Sequence, residues 1–142
     1  MATTADAELI LKLYQLRGEE TMRKARKFIV FEFWPKSFEE LTAVRENMLT
    51  QESAYWRQVL TYWEMAASMV LRGAVDPDLF LDSQGEGIYI YAKFQPFREE
   101  MEKAGQIFMK QTAKMIEEHS AAKTAFDSIS QMLAARAAAM RG

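Results

Sequence analysis

Ser53-Ala54-Tyr55-Trp56-Arg57-Gln58-Val59-Leu60-Thr61-Tyr62-Trp63-Glu64-Met65-Ala66-Ala67-Ser68-Met69-Val70-Leu71-Arg72-Gly73 is the stretch whose reading decides the fold. Tyr55, Trp56, Val59, Leu60, Tyr62, Trp63, Met65, Ala66, Met69, Val70 and Leu71 would cover most of the surface of a helix. The polar remainder, Arg57, Thr61, Glu64, Ser68 and Arg72, steps by four, three, four and four. On an α-helix that spacing is one narrow line. A helix apolar on nearly every side is a buried helix, so other segments must pack around it. Gly73 supplies the stop, because glycine enters the left-handed conformation at a helix C-terminus without a steric penalty.

The rest of the chain has to provide that packing. Its 142 residues suit one domain, and a chain of this length buries roughly 70 % of its unfolded surface without staples. Only 3 prolines and 6 glycines interrupt it, and 10 methionines add unbranched apolar bulk, a balance that favours helix over sheet. Neither an internal repeat nor a low-complexity linker divides it. The expectation is a single all-α domain, residues 1–142, with five to seven helices bundled around about 53–73.

Outward from the centre, Thr50 or Ser53 starts the central helix, and Ser37 with Glu40 forms a capping box opening a helix over about 38–48. Toward the N-terminus, Thr4 or Asp6 caps a helix carrying Leu9, Ile10, Leu13, Tyr14 and Leu16. It runs to about residue 33, bent near Gly18, and Pro35 ends it. Glu19–Arg23 and Glu20–Lys24 fall at i,i+4. Toward the C-terminus, Asp76-Pro77 opens a short helix, and Ser83 to Gly87 is the most loop-like stretch. Pro96 begins a helix that crosses Gly105 along Phe97, Met101, Ala104, Phe108 and Met115. Ser120 caps a last one, in which Arg136 occupies an apolar slot. Phe28–Trp34 and Ile88–Phe94 could each be a buried strand. Their helical neighbours favour helix, since a lone two-stranded ribbon is marginal.

Much chemistry is excluded by composition. With no cysteine there are no disulfides, thiolate metal sites or cysteine nucleophiles. One histidine, His119, preceded by Glu117 and Glu118, cannot supply paired Glu-x-x-His metal motifs, and it reads as an exposed residue at a helix junction. No Walker loop or Gly-x-Gly-x-x-Gly is present; Gly85-Glu86-Gly87 reads as a turn. The expectation is no metal and no cofactor. A net charge of −2 gives no global basic field, no 18-residue apolar run suggests a membrane span, and the N-terminus lacks a signal-peptide pattern. A cytoplasmic protein is the default.

Two local features carry functional expectations. Arg23, Lys24, Arg26 and Lys27 form a basic run that could touch phosphate or an anionic membrane with help from Phe28 to Trp34. Glu19, Glu20 and Glu32 dilute it, so a solvated face is the plainer reading. Glu64 sits in the most apolar helix and, if covered, must be paired or have a raised pKa. Arg57 and Ser68 share its side, and Tyr62, Tyr91 and Arg98 could complete a ligand pocket. The plainer reading is a solvated or structurally paired carboxylate.

Glu19-Glu20-Thr21-Met22-Arg23-Lys24-Ala25-Arg26, Tyr62-Trp63-Glu64-Met65-Ala66-Ala67, and Gly85-Glu86 with Tyr91-Ala92-Lys93 resemble a group of uncharacterised bacterial helical proteins over residues 10 to 100. The resemblance implies a helical fold and a bacterial cytoplasmic origin. It brings no activity, so it assigns no catalytic residue. Three functions are therefore carried forward. The first is a non-enzymatic interaction module that binds itself, as a dimer, or another protein, since methionine and aromatic residues favour interfaces as well as cores. The second is a small-ligand domain, sensory or enzymatic, organised by Glu64. The third is peripheral membrane or nucleic-acid contact through residues 23–34, which the charge balance disfavours.

Overall fold

The central stretch forms α4, Gln51–Leu71, in a computed structural model that describes residues 1–141. Thr50 caps its N-terminus through its side chain, and Gly73 follows its last turn at φ +77°. Trp56 and Trp63 are buried, as are Val59, Leu60, Ala66, Ala67 and Val70. Helix α8 (Lys110–Glu118), α2 (Glu20–Lys27), α3 (Phe38–Glu46) and α6 (Glu86–Phe94) all pack against it. The remaining helices are α1 (Thr4–Arg17), α5 (Pro77–Ser83), α7 (Arg98–Lys103) and α9 (Ser120–Arg141).

Among the described residues there are nine α-helices and no strand, two helices more than the upper expectation. The excess comes from two breaks. The first splits the long N-terminal helix: Gly18 stays right-handed, and Glu19 takes extended backbone at φ −63°, ψ 145°. Glu19 then caps α2, its carboxylate accepting from the amides of Thr21 and Met22 in place of the expected pairing with Arg23. The second break splits the helix expected beyond Pro96. Gly105 at φ +76° ends α7, and Met109 at φ 41° restarts the chain as α8. One glycine is enough there because the left-handed region suits it and closes the preceding turn.

Neither ambiguous apolar stretch is a strand: both are helical, the first only as far as Glu32. Ile88–Phe94 lies in α6. Phe28–Glu32 continues α2 as one wide π-type turn, closed by Phe33 N–H donating to Phe28 O at 2.8 Å. That turn aims Phe33 into an aromatic knot with Trp56 of α4 and Phe94 of α6, whose rings lie 4.9 Å apart and nearly perpendicular. Smaller corrections concern caps. Thr3, not Thr4 or Asp6, is the N-cap of α1, with Asp6 completing a capping box. Ser37 caps α3 as expected, but the Glu40 carboxylate accepts from the Lys36 amide instead of the Ser37 amide.

Candidate functional site

Where α4 meets solvent it forms a ridge, Ala54, Arg57, Thr61 and Met65, with a groove on each flank. On the α1–α2 side, Leu16, Met22, Tyr62 and Met65 line a groove of about 450 Å³, with Glu19 and Gln58 at its edge. On the α3–α8 side, Met48, Trp56, Leu60, Ile107 and Met109 line one of about 310 Å³, edged by Arg45, Arg57 and Glu64. Thr61 borders both. Ile107 is 80 % exposed and Met48 62 %, so the apolar wall of the second groove is open to water. Leu16, Met65, Met48 and Ile107 are the exposed large apolar side chains of the two grooves, while Met22, Trp56, Leu60 and Met109 form their buried floors.

Glu64 has a defined task on this face. Its carboxylate accepts from the backbone amides of Gln111 and Thr112, each at 2.9 Å, and from the Thr112 hydroxyl at 2.7 Å. These are the second and third amides of α8, which a side chain at the N-cap would ordinarily satisfy. Met109 stands at that cap and has no oxygen to offer. Glu64 therefore caps α8 from another helix, and its negative charge suits the positive end of the helix dipole.

A mirror arrangement closes the other end of α2. The carbonyls of Ile29 and Val30 sit in the π-type turn, and the i+5 partner of Val30 is Pro35, which has no N–H. Lys93 of α6 fills the gap, its ammonium donating to Ile29 O at 2.6 Å and Val30 O at 3.3 Å. It also lies 3.8 Å from the centre of the Trp34 ring. The Arg136 guanidinium of α9 stands 3.6 Å from the same centre. Two cations cannot share one face at such distances, so they bracket the indole. Lys93 is 8 % exposed, and burial, with Arg136 adding like charge, pushes its amine down to about 7.

A third polar knot joins four helices. Arg26 turns inward and grips Glu86 with two bonds of 2.8 Å, the bidentate geometry that a guanidinium and a carboxylate favour. Trp63 Nε1–H donates to the same carboxylate at 3.1 Å, and Arg26 also reaches Arg17 O at the end of α1. This hydrogen bonding raises the Arg26 pKa further.

The residues singled out in the sequence occupy several places. Glu64 and Arg57 share the α3–α8 groove, where Arg57 donates to Ser53 Oγ at 2.7 Å. Tyr62 lies across the ridge, its hydroxyl donating to Leu13 O. Tyr91 and Arg98 pair with each other at 2.7 Å in a separate cleft with Phe126 and Asp127. Ser68, half-buried, borders neither groove. Of the basic run, Arg26 is withdrawn, Lys24 pairs with Glu20, Lys27 approaches Glu32 at 3.9 Å, and Arg23 remains in solvent. His119 is half-buried at the α8–α9 junction. Among the described residues no cluster of acidic or histidine side chains could hold a metal ion, and no helix is long and apolar enough to cross a membrane. Sequence reading passed over Lys93, Glu86 and Trp34 as site residues. The one local signal for Lys93 was Pro35, which leaves a helical carbonyl without its donor.

Fold and contacts together define an all-helical domain in which two helix ends, the start of α8 and the turn that ends α2, are closed by charged side chains from other helices. A family model described as a domain of unknown function (DUF4760) matches residues 2–119, and the chain belongs to that family. No curated protein and no solved structure matches it. Helix α9 follows the matched span.

Proposed function

We propose that this chain is a helical interaction module that pairs with a second copy of itself through the α4 face. The observation that carries the reading is the ridge of Arg57, Thr61 and Met65 between two open apolar grooves. Helices pack by setting the ridge of one into the groove of the other, and a surface holding both is complementary to its own twofold copy. Arg45 and Glu64 edge one groove and Glu19 the other, with Arg57 on the ridge itself, so charged groups flank the apolar groove walls, as they do at the rim of an interface. The capping work of Glu64 supports this reading over a pocket organised by that residue, because both its oxygens are engaged. The absence of cysteine suits the cytoplasm.

Light scattering coupled to gel filtration tests the proposal. Wild type is expected at twice the 16.4 kDa chain mass at micromolar concentration. Met65→Glu, which places a charge on the ridge without touching the core, is expected to elute as a folded monomer. A wild-type monomer throughout the micromolar range would overturn self-pairing, and a Met65→Glu dimer would remove the α4 face from it.

A further inference from the structure

On α6, away from the α4 face, a cavity of about 320 Å³ opens beside Trp34, and it shares no lining residue with the two grooves. Half of its wall comes from the family domain, including Trp34, Lys93 and Pro96. The other half comes from α9, including Ser130, Leu133 and Arg136. It thus lies at the seam between the matched segment and the helix that follows it. Its volume is at the small end of ligand cavities.

Charge is what distinguishes it. Both ionisable groups in the wall, Lys93 and Arg136, are basic, and among the described residues neither forms an ion pair. Lys93 is held only by backbone carbonyls and the face of an indole. A buried cation is ordinarily balanced by a carboxylate, and among the described residues none pairs with Lys93. Arg136, exposed at the rim, presents the forked donors that match a carboxylate. Gln95 and Ser130 add neutral polar groups, and the Trp34 ring, Leu133, Pro96 and three alanines make the rest of the wall apolar.

We infer that this cavity binds a small organic carboxylate, with its charge paired with Arg136 at the rim, in the field of Lys93, and its apolar body against Leu133, Pro96 and the edge of Trp34. The ligand supplies the counter-charge that the described residues do not. It needs both parts: an anion without a body leaves the apolar wall wet, and a body without charge leaves the cations unbalanced.

Benzoate is the probe, and benzamide, of the same shape without the charge, is its control. The indole N–H resonance of Trp34, assigned by its absence in Trp34→Phe, reports occupancy in the full chain. Benzoate is expected to shift it along a saturable curve while Trp56 and Trp63, buried in the core, stay still. Benzamide is expected to bind at least about tenfold more weakly, the scale set by a hydrogen bond to a charged group. Arg136→Gln, at an exposed position, should weaken benzoate by about tenfold, and Arg136→Glu should abolish binding. The inference fails if benzoate gives no saturable shift, if benzamide matches it, or if Arg136→Gln binds like wild type.

Discussion

Gly87 shows how much one hydrogen can matter. It lies inside α6, where glycine is a poor helix former, yet a Cβ there would stand 3.1 Å from Trp63 Cβ and 3.2 Å from its ring. The glycine is needed for close approach, which lets Glu86 next door reach both Trp63 and Arg26. Gly87→Ala is therefore expected to destabilise the fold by about 1–3 kcal/mol despite its better helix propensity, as denaturant unfolding will show. Lys93 makes a second residue-scale prediction, with a sign opposite to the usual salt bridge. Its folded pKa is about 7, against an unfolded value of about 10.4. Between those values the unfolded chain binds more protons, so stability contributed at this site rises with pH. The penalty of burying the charge is full below about pH 7 and fades toward pH 10. Lys93→Met removes the titration. The difference in unfolding free energy, wild type minus variant, should climb across that window by at most about 1.4 kcal/mol per pH unit. A flat difference would mean that the amine is ordinary.

At the scale of the element, the helices are short and end often, and long-range side chains finish what local sequence leaves open. Helix α8 is the clearest case: its capping position is Met109, and its acceptor comes from Glu64, 47 residues back from Gln111. Glu64→Ala should cost about 1–2 kcal/mol and speed amide exchange in the first turn of α8 before the core opens. Glu64→Gln, which keeps one acceptor oxygen, should cost less; equal protection in all three proteins would show the cap to be idle. The same split explains what the sequence makes legible. Periodicity and local caps marked α4 and the Asp76-Pro77 start, because the residues that decide them lie within one turn; the last helix also begins where expected, but Ser120 is its first residue and not its cap. Glu64 stood out because a carboxylate among tryptophans needs a partner, yet the partner, a backbone amide on α8, has no sequence signature. Lys93 was hidden for the converse reason, since its acceptors are carbonyls and its aromatic partner lies 59 residues upstream at Trp34. The breaks at Glu19 and Gly105 went unread because apolar spacing continues through both and only backbone geometry separates the pieces.

For the whole molecule, the decisive question is what covers the α4 face. The central helix is enclosed on most sides by α2, α3, α6 and α8, and the remaining strip is the one place where its apolar grooves stay open. If two copies close over that strip, folding and pairing are linked, and apparent stability must rise with concentration. While the dimer dominates over the folded monomer, each tenfold increase in protein adds about 1.4 kcal/mol, visible as a rising midpoint in thermal unfolding. Ile107→Asp, in the wall of the α3–α8 groove, should flatten that dependence by blocking the pairing. Leu11→Glu is the control: Leu11 is 68 % exposed on α1 and borders neither groove. Its variant should keep the wild-type concentration dependence, because general loss of surface hydrophobicity is not what the interface senses. If Leu11→Glu flattens the curve and Ile107→Asp does not, the contact surface is α1, and the ridge of α4 faces only water.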